Sequence, residues 1–117
     1  MSFHPPMVKN QIRSKWSQAV RKTVLDALRL VVEKTPVDTG HARMNWYPSF
    51  GQPDFAEISG TGQPNMSPSM DMASIERFEP VFLQNNVPYI GALEYGSSKQ
   101  ARNPDGMVRR TILEMTE

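Results

Sequence analysis

Residues 7–34 form the clearest element in the sequence, and everything else has to be arranged around it. Ile12, Trp16, Ala19, Val20, Thr23, Val24, Ala27, Leu28 and Val31 recur at three- and four-residue steps, which puts them on one broad side of a long helix. Lys15, Lys22, Asp26, Arg29 and Glu33 fall opposite. Lys22/Asp26 and Arg29/Glu33 are i,i+4 pairs and Asp26/Arg29 an i,i+3 pair, each adding about 0.2–0.5 kcal/mol to a helix. Pro36 ends the segment, because a proline pushes the residue before it out of the α region. The six residues from Thr35 to Gly40 then read as a turn, with Asp38 or Thr39 capping a short helical turn through 41–43.

Downstream, the periodicity changes. In residues 44–50, Met44, Trp46 and Phe50 alternate with Asn45, Tyr47 and Ser49, the pattern of a strand, and Pro48 places that strand at an edge. Residues 51–72 hold Gly51, Pro53, Gly60, Gly62, Pro64 and Pro68, with only a strand-like piece at 55–59. A stretch of that length without strong structure is uncommon inside a compact domain and points to function or a partner. Its apolar side chains, Phe55, Ile58, Met66, Met70 and Met72, are candidate subunit contacts that such an arm cannot bury alone, and methionine adapts well to a partner surface. A short helix is expected over 68–77, a central strand over 80–86 ending at the Asn85-Asn86 turn, and a second short helix over 89–95 closed by Gly96. The last helix is expected over 103–116, with Asn103 as N-cap and Pro104 at the first helical position. The sum is an α+β domain in which helices pack on a small antiparallel sheet, with an extended Gly/Pro/Met-rich arm.

The chain has 117 residues, room for one compact domain, so 1–117 is read as a single unit. Hydrophobic residues make up 38% of it, below the roughly 45–50% apolar usage of ordinary globular chains, so the core is thin. Thin cores are supplemented by disulfides, metals or oligomerisation. There is no cysteine, which removes disulfides and thiolate zinc sites, and neither His4 nor His41 has a second ligand at helical spacing. Oligomerisation is left as the leading supplement, with no cofactor expected. Residues 1–6 lack a charged n-region and an apolar h-region, so no signal peptide is expected, and Asp26 and Arg29 interrupt the most apolar run, so no membrane span is.

Charge is unevenly spread. Residues 1–34 carry seven basic side chains (Lys9, Arg13, Lys15, Arg21, Lys22, Arg29, Lys34) and two acidic ones, whereas 35–80 carry two basic and six acidic. One reading of the basic end is a small DNA-binding protein using the N-terminal helix. The other is a solvated face, or one that meets the acidic part of a neighbouring subunit. Asp26 and Glu33 among the cations favour the second, since a phosphate track gains nothing from them.

Catalytic readings carry less. Asp38, His41 and a nearby serine can be drawn as a triad, but no Gly-x-Ser-x-Gly elbow accompanies them, and a capping carboxylate beside a polar turn residue explains both. Ser59-Gly60-Thr61-Gly62 lacks the Lys-Ser/Thr ending of a phosphate cradle. Glu94 is the one acidic residue of an apolar short helix; a structural pairing with Arg43, Arg102 or Arg109 is favoured over general acid–base work.

Two motifs, in order, complete the reading. The first is Thr35-Pro36-Val37-Asp38-Thr39-Gly40-His41-Ala42-Arg43. The second is Asn85-Asn86-Val87-Pro88-Tyr89-Ile90-Gly91-Ala92-Leu93-Glu94-Tyr95-Gly96-Ser97, followed by Pro104-Asp105-Gly106-Met107-Val108. Together, at this separation and with the arm between them, they resemble the neck or tail-completion (head–tail connector, minor tail component) proteins of long-tailed bacteriophages, over nearly the whole chain. The resemblance implies a non-enzymatic α+β virion subunit, assembled in the bacterial host cytoplasm. It implies a homo-oligomeric ring, commonly hexameric, between the portal and adaptor on one side and the tail tube or tail terminator on the other, through which genome DNA passes transiently. It also implies that Thr39 and Gly40 set the turn, that Tyr89, Leu93 and Tyr95 dock the short helix on the sheet, that Gly96 ends it and that Glu94 holds a polar contact there. Family members commonly carry an apolar residue in place of His41 and a bulky one in place of Ser97, so packing at those two points is expected to differ.

Overall fold

The computed structural model of the chain describes residues 5–37, 40–95 and 106–116, with side chains from residue 11 onward within them. The long helix, α1, runs Pro5–Lys34 over 30 residues, about 45 Å at 1.5 Å per residue. Its C-terminal half carries the burial: Val24, Leu28, Val31 and Val32 are in the core. The N-terminal half of the expected stripe is not covered, and Ile12 and Trp16 are 55% and 42% exposed. This half still meets the body, through buried Ser17 and through Trp16, whose Nε1 donates to the Ile75 carbonyl.

The end of α1 is closed by three side chains. Thr35 Oγ1 donates to the Val31 carbonyl at 2.6 Å, and Trp46 Nε1 donates to Thr35 Oγ1 at 2.8 Å. Arg43 Nε donates to the Thr35 carbonyl at 2.8 Å, with a longer bond from Nη2 to the Glu33 carbonyl. Carbonyls that a helix terminus leaves without partners are thereby satisfied, by a cation placed where the helix dipole favours one. The next helix, α2 (His41–Met44), has Gly40 as its N-cap at φ 85° with no side-chain cap. Asp38 and Thr39, expected there, lie outside the described residues.

Because Met44 closes α2, the first strand is shorter than the expected 44–50: β1 spans Tyr47–Phe50 and pairs antiparallel with β2 (Val81–Gln84), from Tyr47 opposite Gln84 to Phe50 opposite Val81. Among the described residues the sheet has these two strands, so β2 is an edge strand rather than the central one expected. Cross-strand partners share a face. One face therefore carries Pro48, Phe50, Val81 and Leu83, the other Tyr47, Ser49, Phe82 and Gln84. Leu83 packs on the core shared with α1.

Three short helices complete the chain. The first, α3, spans Met72–Glu76 instead of 68–77, because Asp71 caps it, accepting from the Ser74 N–H at 3.1 Å. It ends in a paired turn: the Phe78 N–H donates to the Ile75 carbonyl and the Glu79 N–H to the Ser74 carbonyl, with Phe78 at φ 60°. That is a Schellman motif, whose left-handed position glycine usually fills. The second, α4, spans Ile90–Glu94, and the third, α5, Val108–Thr116. The expected start of α5 at Asn103 and Pro104 falls outside the described residues, and the helix itself begins at Val108. Lys34 and Glu114, 2.9 Å apart, tie α5 to the end of α1. The core gathers Leu28, Val31, Val32, Ala42, Trp46, Leu93 and Met107, drawn from α1, from both motif segments and from Trp46 just before β1.

Candidate functional site

The most unusual feature is the way residues 54–60 are held. The strand-like piece expected at 55–59 forms no strand. Instead, side chains of the body grip its backbone from the Tyr47/Gln84 face of the sheet. Gln84 Oε1 accepts from the Asp54 N–H at 3.0 Å, Asn86 Nδ2 reaches the Asp54 and Ala56 carbonyls at 2.9 Å each, and Tyr47 Oη donates to the Ala56 carbonyl at 2.7 Å. Fully buried Asn45 takes both backbone groups of Ile58. His41 closes the row, Nδ1 toward the Gly60 carbonyl at 2.5 Å and Nε2 toward Glu57 Oε2 at 2.6 Å. Both bonds need an N–H, which the imidazolium supplies on each nitrogen. The Glu57 carboxylate and then the Gly60 carbonyl accordingly hold the His41 pKa above its usual value, against a smaller opposing effect of burial. Beyond this row, Gly62 crosses Gly40 so closely that a Cβ on Gly40 would sit 3.0 Å from the Gly62 carbonyl oxygen.

Pinned from behind, the arm turns apolar side chains outward. Phe55 is 82% exposed, and Ile58, Met66 and Met72 are about two-fifths exposed, while Met70 is half-buried. Met72 belongs to α3 rather than to the arm.

Glu94 organises the second motif. Its Oε1 accepts from the N–H groups of Met107 and Val108, both at 2.8 Å, and its Oε2 from the Arg109 N–H at 3.2 Å and Arg109 Nε at 3.0 Å. The carboxylate thus caps α5 from 13 residues upstream, at the end where a helix favours negative charge. Burial by itself would raise its pKa; the backbone N–H of Val108, the Arg109 side chain and the other two N–H groups outweigh it and leave the pKa below the ordinary value. Gly106, at φ 79°, is the approach point: a Cβ there would land on the Glu94 carboxylate. Of the three residues expected to dock α4, only Leu93 is buried, at 2% exposure. Tyr89 and Tyr95 are 41% and 73% exposed, and Tyr95 instead stacks under the Arg109 guanidinium, 4.9 Å from ring centroid to Cζ. Within α4 it is Ile90 and Leu93, three residues apart on one side, that pack on the core, whereas the tyrosines are the residues capping its two ends. Gly96 and Pro104 lie outside the described residues. The motifs meet where Asn85 Nδ2 donates to the Ala42 carbonyl at 2.8 Å.

The sheet's other face bounds an open groove of about 470 Å³, walled by α1 from Trp16 to Ala27 and by Phe78, Glu79, Pro80, Val81 and Leu83. Two of its lining residues, Trp16 and Phe78, have ring centroids 5.4 Å apart, and Trp16 Nε1 donates to the Ile75 carbonyl at 3.0 Å.

Asp38, the acid of the triad drawn with His41, lies outside the described residues; His41 itself bonds to Glu57 and the Gly60 carbonyl. No group of three or more metal-ligating side chains occurs among the described residues, and no helix there is long and apolar enough to cross a membrane. No family model matches the chain, and no curated protein or solved structure matches it either.

Proposed function

We propose that the chain is a structural subunit of a long-tailed phage virion, forming a homo-oligomeric ring at the head–tail junction and completing or joining the tail. The reading starts from the resemblance of its two motifs to neck and tail-completion proteins. The observation that carries it furthest is the arm: a backbone fixed to the body by side-chain hydrogen bonds while Phe55 stands 82% exposed. Ordered apolar side chains displayed to solvent are what a protein interface requires. Two charged side chains of the motifs are engaged in holding backbone: Arg43 closes α1 and Glu94 caps α5. That supports a non-enzymatic role. On this reading the partners are further copies of the chain, the connector or adaptor and the tail tube or terminator, with DNA passing transiently.

The rival is a small DNA-binding protein using α1. Lys22 and Arg29, two of its cations, are paired with Asp26 and Glu33 at 2.6 and 3.2 Å, which leaves less of the face for phosphates. Mass measurement in solution separates the two. A species of six or more subunits, or a monomer that assembles when its connector or tail partner is added, is expected. A strict monomer indifferent to both overturns the proposal, as does sub-micromolar retention on duplex DNA that falls steeply with salt.

A further inference from the structure

On its other flank, where it meets α3, α1 borders a second cleft, of about 400 Å³. The helix side of this cleft includes Arg13, Ser17 and Arg21, a file on successive turns, since residues four apart share a helix face. Two of the three hold buried atoms without a hydrogen-bond partner among the described residues, Arg13 Nε and Ser17 Oγ, on adjacent turns. Ser17 is 4% exposed, so its hydroxyl has little solvent to turn to. Neither Arg13 nor Arg21 forms an ion pair among the described residues, although Lys22 and Arg29 of the same helix each hold a carboxylate. A buried donor left unmatched is costly, and folded proteins rarely keep one. Two such atoms side by side, with a second guanidinium one turn on, call for a shared acceptor.

We propose that this cleft binds a phosphate group, as the free anion or as a phosphate ester, with Arg13, Ser17 and Arg21 donating to its oxygens. Arg13 and Arg21 are about 12 Å apart along the axis, at about 1.5 Å per residue, and Ser17 lies midway, within reach of two long arginine side chains. Three donors arriving from different directions suit a tetrahedral group better than a planar carboxylate, whose two oxygens a single guanidinium can take in a fork. Ser14 and Gln18 bring neutral donors to the lining, and α3 supplies Met72 and Glu76. Glu76 is the one acid there against two guanidiniums, so positive charge prevails while the carboxylate holds the affinity down. Engaging Arg13 Nε takes a change of rotamer, open to a half-buried side chain that no ion pair holds. The cleft takes one phosphate and is not a track along DNA. It stands independently of the ring reading.

The test titrates the full-length protein with inorganic phosphate at constant ionic strength and follows the arginine Nε–H signals by NMR. Saturable shifts at Arg13 and Arg21 are expected, and acetate in place of phosphate should produce none. Arg21→Gln, at an exposed position, should weaken binding about tenfold, the loss of one hydrogen bond to a charged group. Arg13→Lys, which keeps the charge and removes the Nε donor, should weaken it as well. Glu76→Gln should tighten it severalfold. A thymidine dinucleotide, with its single phosphodiester, is titrated in parallel. Tighter binding than inorganic phosphate makes a nucleic-acid backbone the source of the group, weaker binding makes it a free phosphate or monoester, and either supports the site. Shifts that acetate reproduces, full affinity retained in both arginine variants, or no saturable shift at either arginine overturn it.

Discussion

The side-chain amide of Asn45 pairs with both backbone groups of Ile58, accepting from its N–H at 2.6 Å and donating to its carbonyl at 3.0 Å, and so does for one residue of the arm what a neighbouring strand would do for several. The same Nδ2 also reaches the His41 carbonyl at 2.8 Å, which fixes the amide's orientation from α2. Asn45→Ala removes both partners of Ile58 and leaves a buried void. The expected loss is about 1–3 kcal/mol, the cost of leaving buried polar groups unmatched. Hydrogen exchange should show the Ile58 amide losing protection while amides of residues 24–32 keep theirs. An unchanged Ile58 amide would mean that the arm is held elsewhere.

The next anchor along the arm is sensitive to pH. His41 has its folded-state pKa raised above the usual 6.5, first by the Glu57 carboxylate and then by the Gly60 carbonyl. A raised pKa means the folded state binds the proton more tightly than the unfolded one. The stabilisation is therefore complete below 6.5 and fades as pH rises through the folded value. Exchange at residues 57–60 should quicken across that window, and Glu57→Gln should bring the His41 titration, followed by NMR, back toward 6.5. A His41 that titrates at or below the ordinary value would refute the assignment.

What could be read from the sequence divides along a physical line. Helix α1 was legible because a three-to-four-residue period sustained from Ile12 to Val31 has no other interpretation, and Pro36 marks its end. Glu94 could be read as a structural carboxylate with Arg109 among its partners, from charge alone. The placement of the arm was not legible: Asn45, Gln84 and Asn86 bind backbone groups 13 to 32 residues away, and such bonds leave no period in a sequence. Nor was the start of α5, whose cap comes from another helix rather than from the residue before it. The clue available was a run of amide side chains, Asn45 and Gln84-Asn85-Asn86, in a chain short of sheet partners.

Glu94→Gln keeps the shape of the α5 cap and removes its charge. The wild-type pKa lies below 4.5, because the hydrogen bonds from residues 107–109 outweigh burial. A depressed pKa contributes stability that is complete above the unfolded value and lost as pH falls through the folded one. At neutral pH the variant should be less stable by about 1–2 kcal/mol, in the range of a lost helix cap. The gap between the two proteins in thermal or urea unfolding should close as acid protonates the wild-type carboxyl. A gap that stays constant down to low pH would show that charge is irrelevant to the cap.

Gly106 and Glu94 should behave as one unit. Gly106→Ala is strained twice, by a φ of 79° and by a Cβ directed into the Glu94 carboxylate. A loss of about 2 kcal/mol or more is expected, at the larger end of single-substitution effects. If the collision is what matters, combining it with Glu94→Ala should cost clearly less than the two separate losses added together, as coupled neighbours do. Strict additivity would place the penalty in the backbone angle and in the contact with the Glu94 carbonyl oxygen, 2.8 Å from that Cβ.

Phe78 allows backbone strain and aromatic packing to be pulled apart. Its left-handed backbone is unfavourable for any L-residue with a Cβ by about 1–2 kcal/mol, and glycine escapes that cost. Its ring, 5.4 Å from Trp16, returns about 0.5–1.5 kcal/mol as an aromatic pair. Phe78→Ala loses the ring and keeps the strain; Phe78→Gly loses both. The glycine variant should therefore be more stable than the alanine variant by about 1 kcal/mol and lie within about 1 kcal/mol of the wild type in urea unfolding. An alanine variant as stable as the glycine one would remove the strain.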